Sequence, residues 1–200
     1  TNACFVLSKA TGAPIFQVQK FTVETIFRMP DTPRTKGDKM YPLLQVGKDN
    51  AEGYLMGVYN PSGSNFYPFF RACTAANKHS EMRANTAVHN VKDGKWHHYA
   101  MTVDAEGGEE KATMYLDYVA ITNMALPKVH YGMLSNFIGV NPYQAGRVFE
   151  GSIAEIRVSD TVLAPEEMIR PVLKDSPLVT DETAIALPFA ANDLIAAKTT

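Results

Sequence analysis

The chain has 200 residues, of which 46% are hydrophobic, and 19 basic and 21 acidic residues give it a formal net charge of -2. This is enough for one sizeable hydrophobic core, and without an excess of basic residues a nucleic-acid partner is not expected. No run approaches the roughly 18 consecutive apolar residues of a membrane-spanning helix, so no membrane span is predicted. We predict one domain over residues 1–189, followed by a tail or linker stub at 190–200.

Short runs of alternating apolar and polar residues recur along the chain, separated by clusters of Gly, Pro, Asn and Asp. This pattern is typical of an antiparallel sandwich or barrel. In the first clear run, residues 21–28, the side chains of Phe21, Val23 and Phe27 share one face, as a half-buried strand requires. Further strands are predicted at 43–46, 53–59, 66–73, 97–103, 112–117, 136–140 and 153–159.

Two more elements are predicted near the C terminus. Residues 163–169 favour a short helix, because Pro165 suits the first helical position and the two glutamates after it complement the positive end of the helix dipole. Residues 183–189 favour a last strand, which Pro188 would place at a sheet edge. The predicted fold class is therefore all-β: an antiparallel β-sandwich, either a meander or a jelly roll, with one short helix near the C terminus.

The two cysteines, Cys4 and Cys73, are too few for a disulfide framework, and neither has the spacing of a zinc or redox motif. Two buried thiols and a single disulfide both remain open. The cysteines therefore do not decide the compartment.

The run at 93–104, Asp-Gly-Lys-Trp-His-His-Tyr-Ala-Met-Thr-Val-Asp, is similar to the Gly-x-Trp-x-His strand of laminin-G-like domains, which have the concanavalin A-like lectin/glucanase fold. Residues 114–117, 137–139, 149–158 and 163–168 resemble later pieces of the family pattern, in the same order. Two residues depart from it. Tyr118 stands where the family has a hairpin glycine, which disfavours a turn with positive φ after Asp117, and Ala164 replaces the usual capping serine.

The strand motif at 93–104 has a structural interpretation. Trp96 and His98 lie on the same strand face, and we interpret both as packing residues of the sandwich, with the histidine hydrogen-bonded.

Catalytic residues are not predicted. Hydrolytic relatives of this fold place carboxylates on one strand face with a Glu-x-Asp-x-x-Glu spacing, and this sequence lacks that triplet. Glu150 and Glu155 are five positions apart, so they would point to opposite faces of a regular strand. A Gly-x-Ser-x-Gly nucleophile motif is also missing from the sequence.

Two groups of residues are candidates for ligand binding, because sugars are bound by an aromatic plate together with planar polar groups. The first is the loop that carries Asn141, Tyr143 and Arg147. The second is the aromatic run at 66–70, in which Tyr67 and Phe69 could form a stacking surface on the concave sheet face together with Tyr54 or Tyr59.

The resemblance also implies a possible calcium ion at a loop rim. Asp104 and Asp117 end neighbouring strands and are the candidate ligands, if they meet at one rim. We predict no other cofactor.

The leading hypothesis is a non-catalytic carbohydrate-binding or adhesion-type accessory module of a larger extracytoplasmic protein, which would be secreted, periplasmic or at the cell surface. Its partner would be a glycan or a protein surface. One alternative is a glycoside hydrolase or lyase whose acids come from separate strands, which requires two carboxylates that converge in a cleft. Another is a structural spacer domain, which requires that no aromatic residue be exposed on the concave sheet face.

Overall fold

The computed structural model describes residues 5–7, 17–31, 40–48, 50–61, 65–85, 87–106, 110–132, 136–144, 147–170 and 183–188. In these residues twelve β-strands form two six-stranded antiparallel sheets. Sheet A contains, in spatial order, β1 (Phe5–Leu7), β10 (Asn136–Ile138), β3 (Met40–Val46), β4 (Tyr54–Tyr59), β5 (Tyr67–Ala75) and β6 (Lys78–Arg83). Sheet B contains β12 (Thr183–Pro188), β11 (Ser152–Ser159), β2 (Lys20–Arg28), β7 (Trp96–Asp104), β8 (Lys111–Leu116) and β9 (Val119–Ala125).

The main hydrophobic core lies between the two sheets. Phe21 of β2 stacks on Tyr54 of β4, with ring centroids 5.0 Å apart, and both side chains are almost fully buried. The Tyr99 hydroxyl on β7 donates a hydrogen bond of 3.0 Å to the carbonyl oxygen of Phe69 on β5. Because strand side chains alternate between faces, the residues between these core positions point to the outer face of each sheet.

The predicted all-β sandwich is confirmed, and each strand predicted from the sequence is present. Three strands were not predicted: β1, β6 and β9. Each of the three lies at the edge of a sheet. Few side chains of β6 and β9 are buried. A strand that buries so little does not need the regular apolar alternation by which a half-buried strand is recognised in a sequence. The predicted edge position of the last strand, β12, is confirmed.

The short helix predicted at 163–169 is wrong, because the described residues include no helix and this segment forms a single turn. The amide of Glu167 donates to the carbonyl of Ala164 at 3.0 Å. The next backbone groups bond to side chains of sheet B: the Glu167 carbonyl accepts from Arg157, and the Ile169 amide donates to Glu24. These contacts occupy groups that a continuing helix would need.

The segment 161–170 packs on the outer face of sheet B. Leu163 and Met168 are buried there against Ala100 of β7, with Tyr115 and Tyr118 at the margin. This apolar contact means that one of the two outer faces is partly covered by the chain itself.

The hairpin between β8 and β9 retains its tight turn although Tyr118 replaces the family's glycine. Asp117 has φ 50° and Tyr118 has φ 68°, a conformation that costs a residue with a Cβ about 1–2 kcal/mol. The Tyr118 ring stacks on His98 at 4.2 Å, and Arg170 lies 3.7 Å from its centroid. Its hydroxyl also donates to the carbonyl of Ile169 at 2.8 Å. These contacts offset the backbone strain.

Cys73 is buried on β5, and Cys4 lies outside the described residues. Residues 190–200 also lie outside them, so the domain boundaries stay a prediction. Within the described part of the chain, no helix has the length and apolar character needed to cross a membrane.

Candidate functional site

The outer face of sheet A carries aromatic and charged side chains from three neighbouring strands. Across β4, β5 and β6 the strand register pairs Tyr59 with Tyr67, Phe69 with Arg83 and Arg71 with Glu81. Alternation places all of them opposite the core positions of the same strands. We refer to these six residues as the arginine–tyrosine face: Tyr59, Tyr67, Phe69, Arg71, Glu81 and Arg83.

Aromatic rings form the floor of this face. The Tyr59 ring contacts Tyr67 edge-on at 5.6 Å and Phe69 at 5.6 Å. Guanidinium groups lie over these rings: the Cζ atom of Arg83 is 4.7 Å from the Tyr59 centroid, and that of Arg71 is 5.4 Å from the Phe69 centroid. Such contacts hold both arginine side chains close to the sheet.

Glu81 links the two arginines. Its Oε1 accepts hydrogen bonds from Nε and Nη2 of Arg71 at 2.9 and 2.6 Å, and its Oε2 accepts from Nη2 of Arg83 at 2.6 Å. Burial raises the pKa of Glu81, but the bonds from both arginines outweigh this effect, so the pKa lies below its ordinary value. The carboxylate therefore stays ionised at neutral pH and orients both guanidinium groups.

The members of the face differ in exposure. The side chain of Arg83 is 46% exposed, against 12% for Arg71 and 20% for Glu81. Tyr59 is half-buried and Tyr67 is buried. Burial raises the pKa of the Tyr67 hydroxyl, while the positive charge of Arg83 partly opposes that rise. Arg83 and Tyr59 are thus the members best placed to meet a ligand.

The predicted loop site lies on the same outer face, beside β10. Asn141 is enclosed, and its Oδ1 accepts from the amide of Tyr143 at 3.1 Å, so its side chain shapes the loop. Tyr143 is 44% exposed and packs edge-on against Phe137 at 5.8 Å. Phe137 pairs with Gln45 on β3, which in turn pairs with Leu55 on β4, so the three side chains lie on the same face of sheet A. An aromatic side chain is therefore exposed at this end of sheet A.

Arg147 connects the loop with the arginine–tyrosine face. Its Nη1 lies 3.6 Å from Sδ of Met40. Met40 pairs with Tyr59 across the strands and packs in a small buried cluster with Leu55 and Phe69. The structure thus brings together Tyr59, Tyr67 and Arg147, three of the five ligand residues predicted from sequence, with Tyr143 farther along.

Sequence reasoning missed Arg71, Glu81 and Arg83. Glu81 and Arg83 lie on β6, which was not recognised as a strand. The available signal was the spacing Glu81-x-Arg83, which would put both charges on one face of a strand.

The predicted meeting of Asp104 and Asp117 at one rim is wrong. Asp104 pairs with Lys111 at one end of the β7–β8 hairpin, whereas Asp117 follows Leu116 at the other end. Asp117 lies level with His98, six positions along β7 from Asp104, or roughly 20 Å. No cluster of three or more His, Cys, Asp or Glu side chains that could hold a metal ion occurs among the described residues.

Each of the two aspartates has another partner. Asp104 forms an ion pair of 3.1 Å with Lys20. Asp117 accepts from the His98 amide at 3.0 Å and lies 2.9 Å from Nδ1 of His97, whose Nε2 is 3.1 Å from Asp93. The carboxylates of Asp93 and Asp117 contact opposite nitrogens of the His97 ring, so these two carboxylates do not converge on one point.

A second charged cluster lies on the outer face of sheet B, beneath segment 161–170. Glu24 on β2 is 0% exposed. Its Oε1 accepts from Nε of Arg157 at 2.7 Å, and its Oε2 accepts from the Ile169 amide at 2.7 Å and contacts Nε2 of His98 at 2.9 Å. The prediction that His98 is a buried, hydrogen-bonded residue is confirmed. Trp96, interpreted as packing, is instead 47% exposed, with Arg28 over its ring at 5.1 Å.

Glu24 and Glu155 are the carboxylates that come nearest to a hydrolase pattern. Burial raises the pKa of Glu155, the charge of Glu24 raises it further, and Arg157 partly opposes both effects. A glycosidase uses a pair of carboxyl groups, one of them with a raised pKa. A substrate, however, must reach both groups, and Glu24 is completely enclosed. The cluster therefore holds the covering segment on the sheet and does not form a cleft.

Solved structures with this fold resemble the chain at low sequence identity. A Bacteroides ovatus protein provisionally described as carbohydrate-binding has a TM-score of 0.57 and 14% identity over 85% of this chain, which spans only 45% of that protein. CBM40 of the Ruminococcus gnavus IT-sialidase, solved with α2,3-sialyllactose bound, has a TM-score of 0.57 and 13% identity over 76% of this chain and 82% of its own. A heptameric SAP-like pentraxin from Limulus polyphemus has a TM-score of 0.53 and 14% identity over 75% of this chain and 68% of its own.

At such identities the likeness shows the fold alone. No curated protein matches the sequence significantly. A family model described as the concanavalin A-like lectin/glucanases superfamily matches residues 8–168, well over half of the chain. The resemblance seen in the sequence motifs is thereby confirmed, and the protein is a member of the concanavalin A-like lectin/glucanases superfamily.

Proposed function

We propose that this protein is a non-catalytic carbohydrate-binding module and that its arginine–tyrosine face binds the glycan. The observation that carries the proposal is the ordered array of Tyr59 and Arg83 on rigid strands. A tyrosine ring can cover the apolar face of a sugar, and a guanidinium can donate several hydrogen bonds to its hydroxyl groups. Because both side chains are held by neighbours before a ligand arrives, little conformational entropy is lost on binding.

The charged groups favour binding over catalysis. Glu81 has a lowered pKa and gives its oxygens to two arginines, so it is a poor proton donor at neutral pH. Glu24 is enclosed by segment 161–170. Solved structures with a similar fold include proteins described as carbohydrate-binding, which supports the same proposal.

We further propose that the module is an accessory part of a larger extracytoplasmic protein, which is secreted, periplasmic or at the cell surface. Support comes from two similar structures: the chain spans less than half of the Bacteroides ovatus protein, and CBM40 belongs to a sialidase. A glycan is the expected partner.

The test is a glycan array, followed by calorimetry on the strongest hits, with wild type and two variants. Tyr59→Ala should weaken binding about tenfold or more, because loss of an aromatic contact costs about 1.5 kcal/mol. Trp96→Ala is a matched control: it also removes an exposed ring beneath an arginine, but from sheet B, and it should bind as wild type does.

Thermal denaturation checks that both variants are folded. Equal loss of binding in both variants, or full binding by Tyr59→Ala, would contradict the assigned site. A wild-type protein that binds nothing on the array would contradict the function and favour a spacer domain. Tyr143→Ala measures in the same assay whether the adjoining loop contributes.

A further inference from the structure

The arginine–tyrosine face carries a charge opposite to that of the whole chain. The chain has a net charge of -2, whereas this face has two guanidinium groups and one carboxylate. Resting on the proposed function, we infer that the glycan is acidic and that Arg83, supported by Arg71, binds a sugar carboxylate.

The first step concerns hydrogen-bond donors. A guanidinium has five N–H groups and accepts none. Arg83 gives Nη2 to Glu81, and its side chain is 46% exposed. Its guanidinium therefore has more donors than this partner uses. A planar carboxylate is the group that pairs best with two parallel guanidinium donors.

The second step concerns the surroundings of the guanidinium. Its Cζ atom lies 4.7 Å from the Tyr59 centroid and 5.9 Å from the Phe69 centroid. The rings exclude water from one side of the charge, so an ion pair formed on the other side is stronger than a fully exposed one. The position of Arg83 is also fixed in advance, which lowers the entropic cost of the pair.

The third step concerns Glu81. It does not neutralise the face, because one carboxylate is shared by two guanidinium groups that approach its two oxygens separately. It holds the arginines in place and leaves a positive charge in excess. An acidic sugar can form an ion pair with this excess positive charge, whereas an uncharged sugar cannot.

Calorimetry with two matched pairs of probes tests the inference: 3′-sialyllactose against lactose, and an oligogalacturonate against its carboxyl-reduced form. At least one acid should bind about tenfold more tightly than its neutral counterpart, as expected for a charge-assisted hydrogen bond. Higher salt should reduce this preference. The two acids distinguish a sialic acid from a uronic acid as the source of the carboxylate.

Three variants assign the preference to a residue. Arg83→Ala should lower affinity for the preferred acid about tenfold more than it lowers affinity for the neutral counterpart, which loses only hydrogen bonds between neutral groups. Arg83→Lys should lie between Arg83→Ala and wild type, since it retains the charge but not the paired donors. Arg28→Ala removes the same charge from sheet B, where Arg28 lies over Trp96, and should bind as wild type does.

Melting curves exclude unfolding, and Arg83→Gln replaces Arg83→Ala if the latter does not fold. Equal affinity for acid and neutral sugar, or a preference that survives in Arg83→Ala, would overturn the inference and leave glycan binding intact. Tighter binding of a sulfated galactan than of either acid would overturn the carboxylate assignment. No binding to any probe, together with a silent array, would overturn the proposed function as well.

Discussion

Glu24 illustrates what an alternating pattern can and cannot predict at the scale of one residue. The pattern places Glu24 on the polar side of β2, and it does lie opposite the core. It is nevertheless 0% exposed, because segment 161–170, more than 130 residues later in the chain, covers it and donates the Ile169 amide to it. Periodicity predicts the face of a residue, whereas the covering of that face is a tertiary property.

The Glu24–Arg157 pair leads to a stability prediction. Arg157→Met should lower the free energy of unfolding by about 3–5 kcal/mol, because it leaves an ionised carboxylate buried without its main partner. Adding Glu24→Gln should restore part of the loss, since the amide oxygen can still accept from Ile169 and carries no charge.

Urea unfolding of the wild type, the single variant and the double variant measures both effects. If Arg157→Met lost less than about 1 kcal/mol, Glu24 would not be a buried charge that depends on Arg157. A double variant less stable than Arg157→Met alone would contradict the prediction in the same way.

At the scale of elements, the β8–β9 turn is stabilised by a charged network. His97 lies between Asp93 and Asp117. Burial lowers the pKa of His97, but the hydrogen bonds to both aspartates outweigh it and leave the pKa above 6.5. Burial likewise raises the pKa of Asp93 and of Asp117. The hydrogen bonds that each carboxylate accepts outweigh this effect of burial and leave both pKa values below 3.8.

These directions predict how stability depends on pH. The contribution of His97 is complete below pH 6.5 and is lost as pH rises through its folded pKa, while that of the aspartates is present above pH 3.8 and is lost as pH falls. His97→Gln should therefore be more destabilising at about pH 5.5 than at about pH 8.5.

Urea midpoints at the two pH values provide the measurement. Val119→Ser, an exposed position on the neighbouring strand, is the non-titrating control and should differ from wild type equally at both. An equal effect of His97→Gln at both pH values, or a larger one at high pH, would contradict the network.

The candidate site was partly predictable from sequence, and the limit lies in its elements. Tyr59 and Tyr67 belong to strands with continuous apolar runs, so the strands could be predicted from composition and the faces from alternate positions. Glu81 and Arg83 belong to β6, an edge strand with Met82 as its one buried residue, and a strand with so little apolar pattern looks like a polar loop. Register, which brings Arg71 opposite Glu81, follows from pairing and not from composition.

At the scale of the whole molecule, the two sheets have outer faces of different character. The face of sheet B is covered in part by segment 161–170, which is held by Glu24, Arg157 and Tyr118. The face of sheet A carries the arginine–tyrosine face together with the loop of Tyr143. The same sandwich core thus supports a closed face and a face available to a ligand.

Backbone amide chemical shifts, recorded by NMR during titration with the tightest-binding oligosaccharide, test this account most directly. The account predicts that saturable shifts are concentrated at Tyr59, at residues 67–71 and at residues 81–83, while the amides of Trp96 and Lys20 do not move. Shifts centred on Trp96 or confined to segment 161–170 would contradict it.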